Sequence, residues 1–151
     1  MTRFSRAVLA TAVLTFAVVS GAVAGGAVVT RGSINAFAAG TGMDLLGHGQ
    51  MVRTADGKTI VTLHVAGLAP NTTYGAHVHQ RACAVGAADG HYKFDPSGPA
   101  TPPNEIWPGF TTNAAGSGHG MATVDATAGA TAVSVVIHAP SGAKIACADL
   151  R

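Results

Sequence analysis

Two histidines separated by a single residue stand inside the segment 74–80, which has the composition of a β-strand. Alternate side chains of a strand point to the same face, so His77 and His79 are predicted to share a face, roughly 6.5–7 Å apart along the chain. A helix would instead turn the two rings about 200° apart. Because imidazole nitrogens bind transition metals, this spacing predicts one half of a metal site.

Candidates for the other half come from more distant parts of the chain. His91 stands in a glycine-flanked loop position, and His138 ends a run rich in valine. Of the other histidines, His48 has a turn-like setting and is predicted to be a surface residue. His64 lies in a predicted strand, where a lone histidine is more often a packing or surface residue than a ligand. A chain with seven histidines also allows unrelated ones, so the residues alone leave the ligand set open.

Short β-prone runs joined by turn residues predict an all-β fold. Asp56-Gly57 separates two such runs and is a strong hairpin signal. Regular patterning fades between residues 81 and 113, which predicts a long functional loop. The regular turn spacing favours an antiparallel Greek-key β-sandwich or flattened barrel. The predicted strands are 37–46 (a weak one), 50–53, 58–65, 72–80, 110–112, 119–124, 131–138 and 144–148.

Residues 1–24 have the pattern of a secretory signal peptide. Two arginines precede an apolar run at 7–19, and a small-residue cleavage site ends at Ala24. The run is too short to span a bilayer comfortably, although an uncleaved anchor is the alternative. We therefore expect an extracytoplasmic or secreted protein, in which residues 25–36 are a flexible lead-in and 37–151 are the β domain.

Export bears on both the charge and the cysteines. Removing Arg3 and Arg6 from the nine Lys+Arg leaves seven, against seven Asp+Glu, so the mature chain is formally neutral. We therefore expect no nucleic-acid partner, and no membrane partner after cleavage. The only two cysteines, Cys83 and Cys147, would meet an oxidising compartment, where a disulfide is the default and a free catalytic thiol is the less favoured alternative.

Six short motifs in this order make the sequence resemble the copper–zinc superoxide dismutase family, between about residues 59 and 149. They are Gly67-Leu68-Ala69-Pro70, His77-Val78-His79, Cys83, Gly90-His91-Tyr92, Val135-Val136-Ile137-His138 and Lys144-Ile145-Ala146-Cys147. The resemblance implies a disulfide between the two cysteines and four copper ligands, namely His77, His79, His91 and His138. It also implies catalytic roles for two residues. His91 would carry a proton, and Lys144 would attract the anionic substrate, although it replaces an arginine and lacks the guanidinium's fork geometry.

The chain departs from the family pattern in ways that favour a copper-only type. The family's zinc site needs two more histidines and an aspartate after the position of His91, but the next histidine, His119, lies beyond a glycine turn. We therefore expect zinc to be absent. Only residues 139–143 stand where the family has a long electrostatic loop. Without zinc, another group must orient His91, and Glu105 or Asp95 is predicted to do so.

These observations predict a copper-dependent superoxide dismutase, with superoxide as substrate and copper as cofactor. Two other functions stay open at this point. The same site would serve a copper-binding or buffering protein with little turnover, and a metal-free structural β-domain would keep only the fold. The oligomeric state is left open by the sequence.

Overall fold

The computed structural model describes residues 26–151, so the predicted signal peptide lies outside the described residues. In this part the chain is all-β, with nine strands in two antiparallel sheets that form a β-sandwich. Two short 3₁₀ turns, Ala38–Gly40 and Gly86–Ala88, stand in the connections. The strands are β1 Val28–Ser33, β2 Asn35–Ala36, β3 Leu46–Arg53, β4 Thr59–Ala66, β5 Thr73–His79, β6 Phe110–Thr111, β7 Gly118–Val124, β8 Ser134–His138 and β9 Lys144–Asp149.

The four-stranded sheet has the order β1-β3-β4-β7. Its centre shows the expected alternation, because Val61, Leu63 and Val65 of β4 are buried while His64 between them is exposed. The predicted hairpin is confirmed: β3 and β4 pair antiparallel around a turn in which Gly57 has φ +86°, a conformation that favours glycine.

The five-stranded sheet has the order β2-β9-β8-β5-β6. Its central strand β8 is buried on both faces over residues 134–137, which explains a valine-rich run without polar alternation. Val135 and Ile137 belong to the main core between the sheets, whereas Val136 belongs to a separate small apolar cluster. The outer face of this sheet is therefore covered, and the covering element is the loop between β5 and β6.

The N-terminal segment differs from the sequence prediction. Residues 25–36, expected to be a flexible lead-in, contain β1, which pairs with β3 through six residues, and β2, which pairs with β9. Backbone hydrogen bonds to β3 and β9 hold this segment at the sheet edges. Because Val28 and Val29 are both exposed, the sequence shows little hydrophobic pattern here.

The predicted strand 37–46 is wrong. A 3₁₀ turn lies in this stretch, and Phe37 donates its backbone N–H to the Ile145 oxygen at 2.9 Å. Gly40 passes so close to β9 that a Cβ there would lie 2.1 Å from the Ile145 oxygen. The other predicted strands are confirmed within a few residues at their ends. The Greek-key connectivity stays a prediction. Within residues 26–151, no helix is long and apolar enough to cross a membrane.

Candidate metal centre

The histidine pair lies on the outer face of the five-stranded sheet. In β5 the alternate residues Tyr74, Ala76 and Val78 are buried in the main core, so His77 and His79 point to the opposite side. This confirms the same-face prediction made from the spacing.

The third histidine comes from the neighbouring strand. Strand β8 pairs with β5 so that Val136 stands opposite His77, and the last residue of β8, His138, stands opposite Gly75. Because side chains alternate along β8, His138 shares the outer face with the pair on β5. The ring centroids of His77 and His138 are 4.8 Å apart.

The fourth histidine is placed by the loop that follows β5. The Tyr92 N–H donates to the Val78 oxygen at 2.8 Å, and the Gln80 N–H donates to the Gly90 oxygen at 3.2 Å. These bonds make a short antiparallel bridge between His79 and His91. The loop thus continues the sheet beyond β5 and brings His91 over the outer face, 4.1 Å from His77 between ring centroids.

The four imidazoles converge closely enough to hold one metal ion. One ring nitrogen from each of the four histidines lies within 4.8 Å of the others. Two nitrogens on opposite sides of an ion, each bonded at about 2.0–2.1 Å, would be about 4.2 Å apart. The cluster therefore needs only a small inward movement to coordinate an ion.

Hydrogen bonds on the outer side of the rings leave the inner nitrogens free. Nδ1 of His79 donates to the backbone oxygen of Asp89 at 3.0 Å, and Nδ1 of His138 donates to the backbone oxygen of Gly142 at 3.1 Å. The buried nitrogens His79 Nε2, His138 Nε2 and His77 Nδ1 have no hydrogen-bond partner. Unpartnered buried polar atoms are rare, and their convergence here fits a bound cation. Peripheral bonds that set the tautomer in this way are typical of metal-ligating histidines.

Burial also keeps these rings neutral. Desolvation is the main cause that lowers the pKa of His79 to about 3 and that of His77 to about 4, and His91 lowers both further. Desolvation likewise lowers the pKa of His138. A metal binds only the deprotonated nitrogen, so these three rings are ready to coordinate at neutral pH without losing protons.

Glu105 contacts His91 from outside the cluster. The Glu105 carboxylate is 1% exposed, and its Oε2 accepts hydrogen bonds from His91 Nδ1 and from Trp107 Nε1, both at 2.7 Å. Of the two acids that the sequence suggested for this role, the structure places Glu105 in contact with His91. Asp95 is instead exposed and accepts hydrogen bonds from the backbone and side chain of Ser97.

Lys144 lies at the edge of the cluster, at the start of β9. Its Nζ donates to the Ala87 oxygen at 2.9 Å and to the Asp89 oxygen at 2.6 Å. The Asp89 oxygen also accepts from His79, so Lys144 is close enough to contribute to the lowered pKa of His79 and His138. Its charge therefore acts on the centre while its hydrogen bonds tie the loop to β9.

A disulfide attaches the beginning of the same loop to the sheet. Cys83 and Cys147 are bonded, as predicted, and Cys147 stands opposite Val136 on the covered outer face. Ala88 and Phe37 complete the small apolar cluster around the bond. A disulfide is typical of proteins that fold in an oxidising, extracytoplasmic compartment.

Aromatic residues near the centre separate into different roles. Trp107 packs edge-on against His77, with 5.0 Å between ring centroids, and is 39% exposed. Phe110 is buried and stacks on Tyr74 in the core. Of these two residues, Trp107 is the one that borders the cluster through an interaction with a ligand candidate. Its hydrogen bond to Glu105 was missed by the sequence analysis, and the short Glu-x-Trp spacing was the only available signal.

Fold and site together define a β-sandwich domain with a four-histidine centre suited to a transition metal. No protein-family model matches the chain, and no curated protein matches it either.

Proposed function

We propose that this protein is an extracytoplasmic, copper-dependent superoxide dismutase of a copper-only type. The observation that supports this most is the convergence of four imidazoles with unpartnered inner nitrogens. An all-nitrogen ligand set suits copper, which stands at the top of the affinity order for such sites. The disulfide agrees with the exported location that the N-terminal sequence predicts.

Copper bound here would supply a one-electron couple between Cu(II) and Cu(I). In the balanced reaction, one superoxide loses an electron and leaves as O₂. A second superoxide gains that electron and two protons and leaves as H₂O₂. The protein must therefore hold the ion, draw in an anion and deliver protons.

His91 is suited to proton delivery. Because its Nδ1–H is held by the buried Glu105 carboxylate, Nε2 is the nitrogen that would hold copper; if Nε2 were released from Cu(I), it would take up a proton and leave an imidazolium beside a negative charge. Such charge-assisted hydrogen bonds are roughly twice as strong as neutral ones. Glu105 thus does for the far nitrogen of His91 what zinc would do in the family that the sequence resembles. A cavity of about 280 Å³ borders His91 but none of the other three histidines.

Copper storage with little turnover is a second candidate function. The observation that favours it is that the Lys144 ammonium donates to two backbone carbonyls, which leaves less of its charge for an incoming anion. The formally neutral mature chain also offers little overall attraction for superoxide.

Two measurements test the proposal. Copper and zinc are measured together by elemental analysis of the mature protein purified after export in copper-containing medium. Superoxide consumption is then followed for copper-loaded protein and for His138→Ala, which removes one ligand. We expect one copper per cluster, and catalysis that is lost in the variant. Copper without turnover would favour storage, and absence of copper would contradict both functions.

A further inference from the structure

The three histidines outside the metal centre also lie together. His48, His64 and His119 occupy one row across three neighbouring strands, since His48 pairs with His64 and His64 pairs with His119. The ring centroids are 5.0 Å apart in the first pair and 4.4 Å apart in the second. We call these three residues the histidine row. The sequence analysis had separated them into a turn, a strand and a later strand region.

The row lies on the outer face of the four-stranded sheet. His64 alternates with buried residues of β4, and both His64 and His119 are exposed. The metal centre occupies the outer face of the other sheet, so the sandwich core separates the two groups of histidines. A metal ion at the row would therefore be bound independently of the four-histidine centre, whatever the function of that centre.

The backbone on both sides of the row is held by close packing at glycine. His48 and His119 each stand between two glycines. A Cβ on Gly47 would lie 2.0 Å from the His64 oxygen, and one on Gly120 would lie 2.0 Å from the Pro108 oxygen. Glycine permits this approach because it has no Cβ. Neighbouring backbone therefore passes close to the row at both glycines, and the strand pairing places the rings side by side.

The two ends of the row differ in charge. Arg31 stands near His48 and, after burial, is the next cause of the lowered pKa of His48. A cation bound at that end would be repelled by the guanidinium. At the other end, His64 and His119 are the closer pair, with their rings tilted by 44°. A depression of about 310 Å³ borders His64 but not His119.

We propose that His64 and His119 form a second, solvent-exposed site for a divalent transition-metal ion, with one imidazole nitrogen from each residue and water in the other positions. Two nitrogens bonded to one ion at about 2.0–2.1 Å lie no more than about 4.2 Å apart. This separation is within reach of exposed rings whose centroids are 4.4 Å apart. Cu(II) should bind most tightly among the divalent ions, followed by Ni(II) or Zn(II).

The test uses Cu(II) alone, titrated into the mature protein by calorimetry and followed by electron paramagnetic resonance. The variants are His64→Ala, His119→Ala and His48→Ala. Thr123→Ala is the matched control, because Thr123 is exposed on the same strand as His119. Circular dichroism checks that each variant is folded. We expect the variants to fold, because His64, His119 and Thr123 are exposed and His48 is only half-buried.

We expect wild type, Thr123→Ala and His48→Ala to bind one more Cu(II) than His64→Ala and His119→Ala. Loss of an outer partner of a metal ligand already weakens metal affinity about 10–100-fold, so loss of a direct ligand should weaken it at least as much. The proposal is overturned if His64→Ala keeps the stoichiometry and affinity of wild type. It is equally overturned if His48→Ala removes the site while His119→Ala does not.

Discussion

Replacing Glu105 by glutamine tests whether a buried carboxylate sets the orientation of His91. The substitution keeps the size and shape of the side chain but removes its charge. Glutamine can still accept through its oxygen from His91 Nδ1 and Trp107 Nε1, which now meet at Glu105 Oε2. Its NH₂ group would take the place of Oε1, which is buried and has no partner in the structure.

Two effects of known size follow from this geometry. A hydrogen bond to a charged group contributes about 1.5–3 kcal/mol, against about 0.5–1.5 kcal/mol for a neutral one. The hydrogen bond that holds the His91 ring should therefore weaken by about 1 kcal/mol or more. A buried NH₂ without an acceptor costs a further ~1–3 kcal/mol in protein stability. Since 1.4 kcal/mol is a factor of ten, we expect copper affinity to fall about 10-fold, within the range of about 10–100-fold for such partners.

Competition with a copper chelator of known affinity measures the copper Kd, and thermal unfolding of the metal-free protein measures the stability. Asp95→Asn is the matched control, because Asp95 is an acid of the same loop that is exposed and does not contact His91. It should leave copper affinity unchanged. If Glu105→Gln also binds copper as wild type does, with the same turnover and pH profile, the orienting role assigned to Glu105 is wrong.

The remaining predictions concern pH, the disulfide and Trp107. His79 is a base whose folded pKa of about 3 lies below its unfolded value of 6.5. Below pH 6.5 the unfolded chain therefore binds more protons, and His79 alone should lower the stability of the metal-free protein by about 3 kcal/mol between pH 7 and pH 4, measured by urea unfolding. His77, whose pKa is lowered to about 4, should add to this fall. Replacing Cys83 and Cys147 together by serine should cost up to ~4 kcal/mol, since the bond closes a loop of 64 residues, and unchanged unfolding midpoints would contradict this. Trp107→Phe should weaken copper binding less than Glu105→Gln does, because it removes one neutral donor and leaves the carboxylate.

Much of the fold could be predicted because the hydrophobic pattern was explicit. In β4 every second residue is buried and the residues between them are half-buried or exposed, and the Asp56-Gly57 hairpin gives its pairing with β3. The pattern failed where edge pairing determines the structure. Strand β1 forms because it continues the sheet beside β3, although two of its valines are exposed. Backbone hydrogen bonds of this kind leave no signature in the side chains.

The four histidines of the candidate metal centre could be predicted from spacing and from the resemblance, but the contacts around them could not. Glu105 and Asp95 were equivalent in sequence, since both are acids in the same loop after His91. In the structure the path of that loop separates them. The Val78 N–H donates to the Ile106 oxygen at 3.0 Å, which holds the neighbouring Glu105 close to β5 and within reach of His91. The histidine row was missed because it depends on the register between three strands, which a single sequence does not specify.

Three of the attachments of the loop after β5 lie on or beside a strand that carries or borders the metal centre. The disulfide joins it to β9, Lys144 donates to its carbonyls, and the backbone bridge at His91 continues β5. One of the four histidines is contributed by this loop, so an ion bound by all four must hold the loop on the sheet. Metal binding should then stabilise the folded state by an amount that grows with the ratio of free metal to Kd, about 2.7 kcal/mol at a hundredfold excess over Kd. Conversely, a change that loosens the loop should weaken metal binding. Cys147 is therefore expected to affect the metal centre through its disulfide, although it is distant in sequence from every ligand candidate except His138.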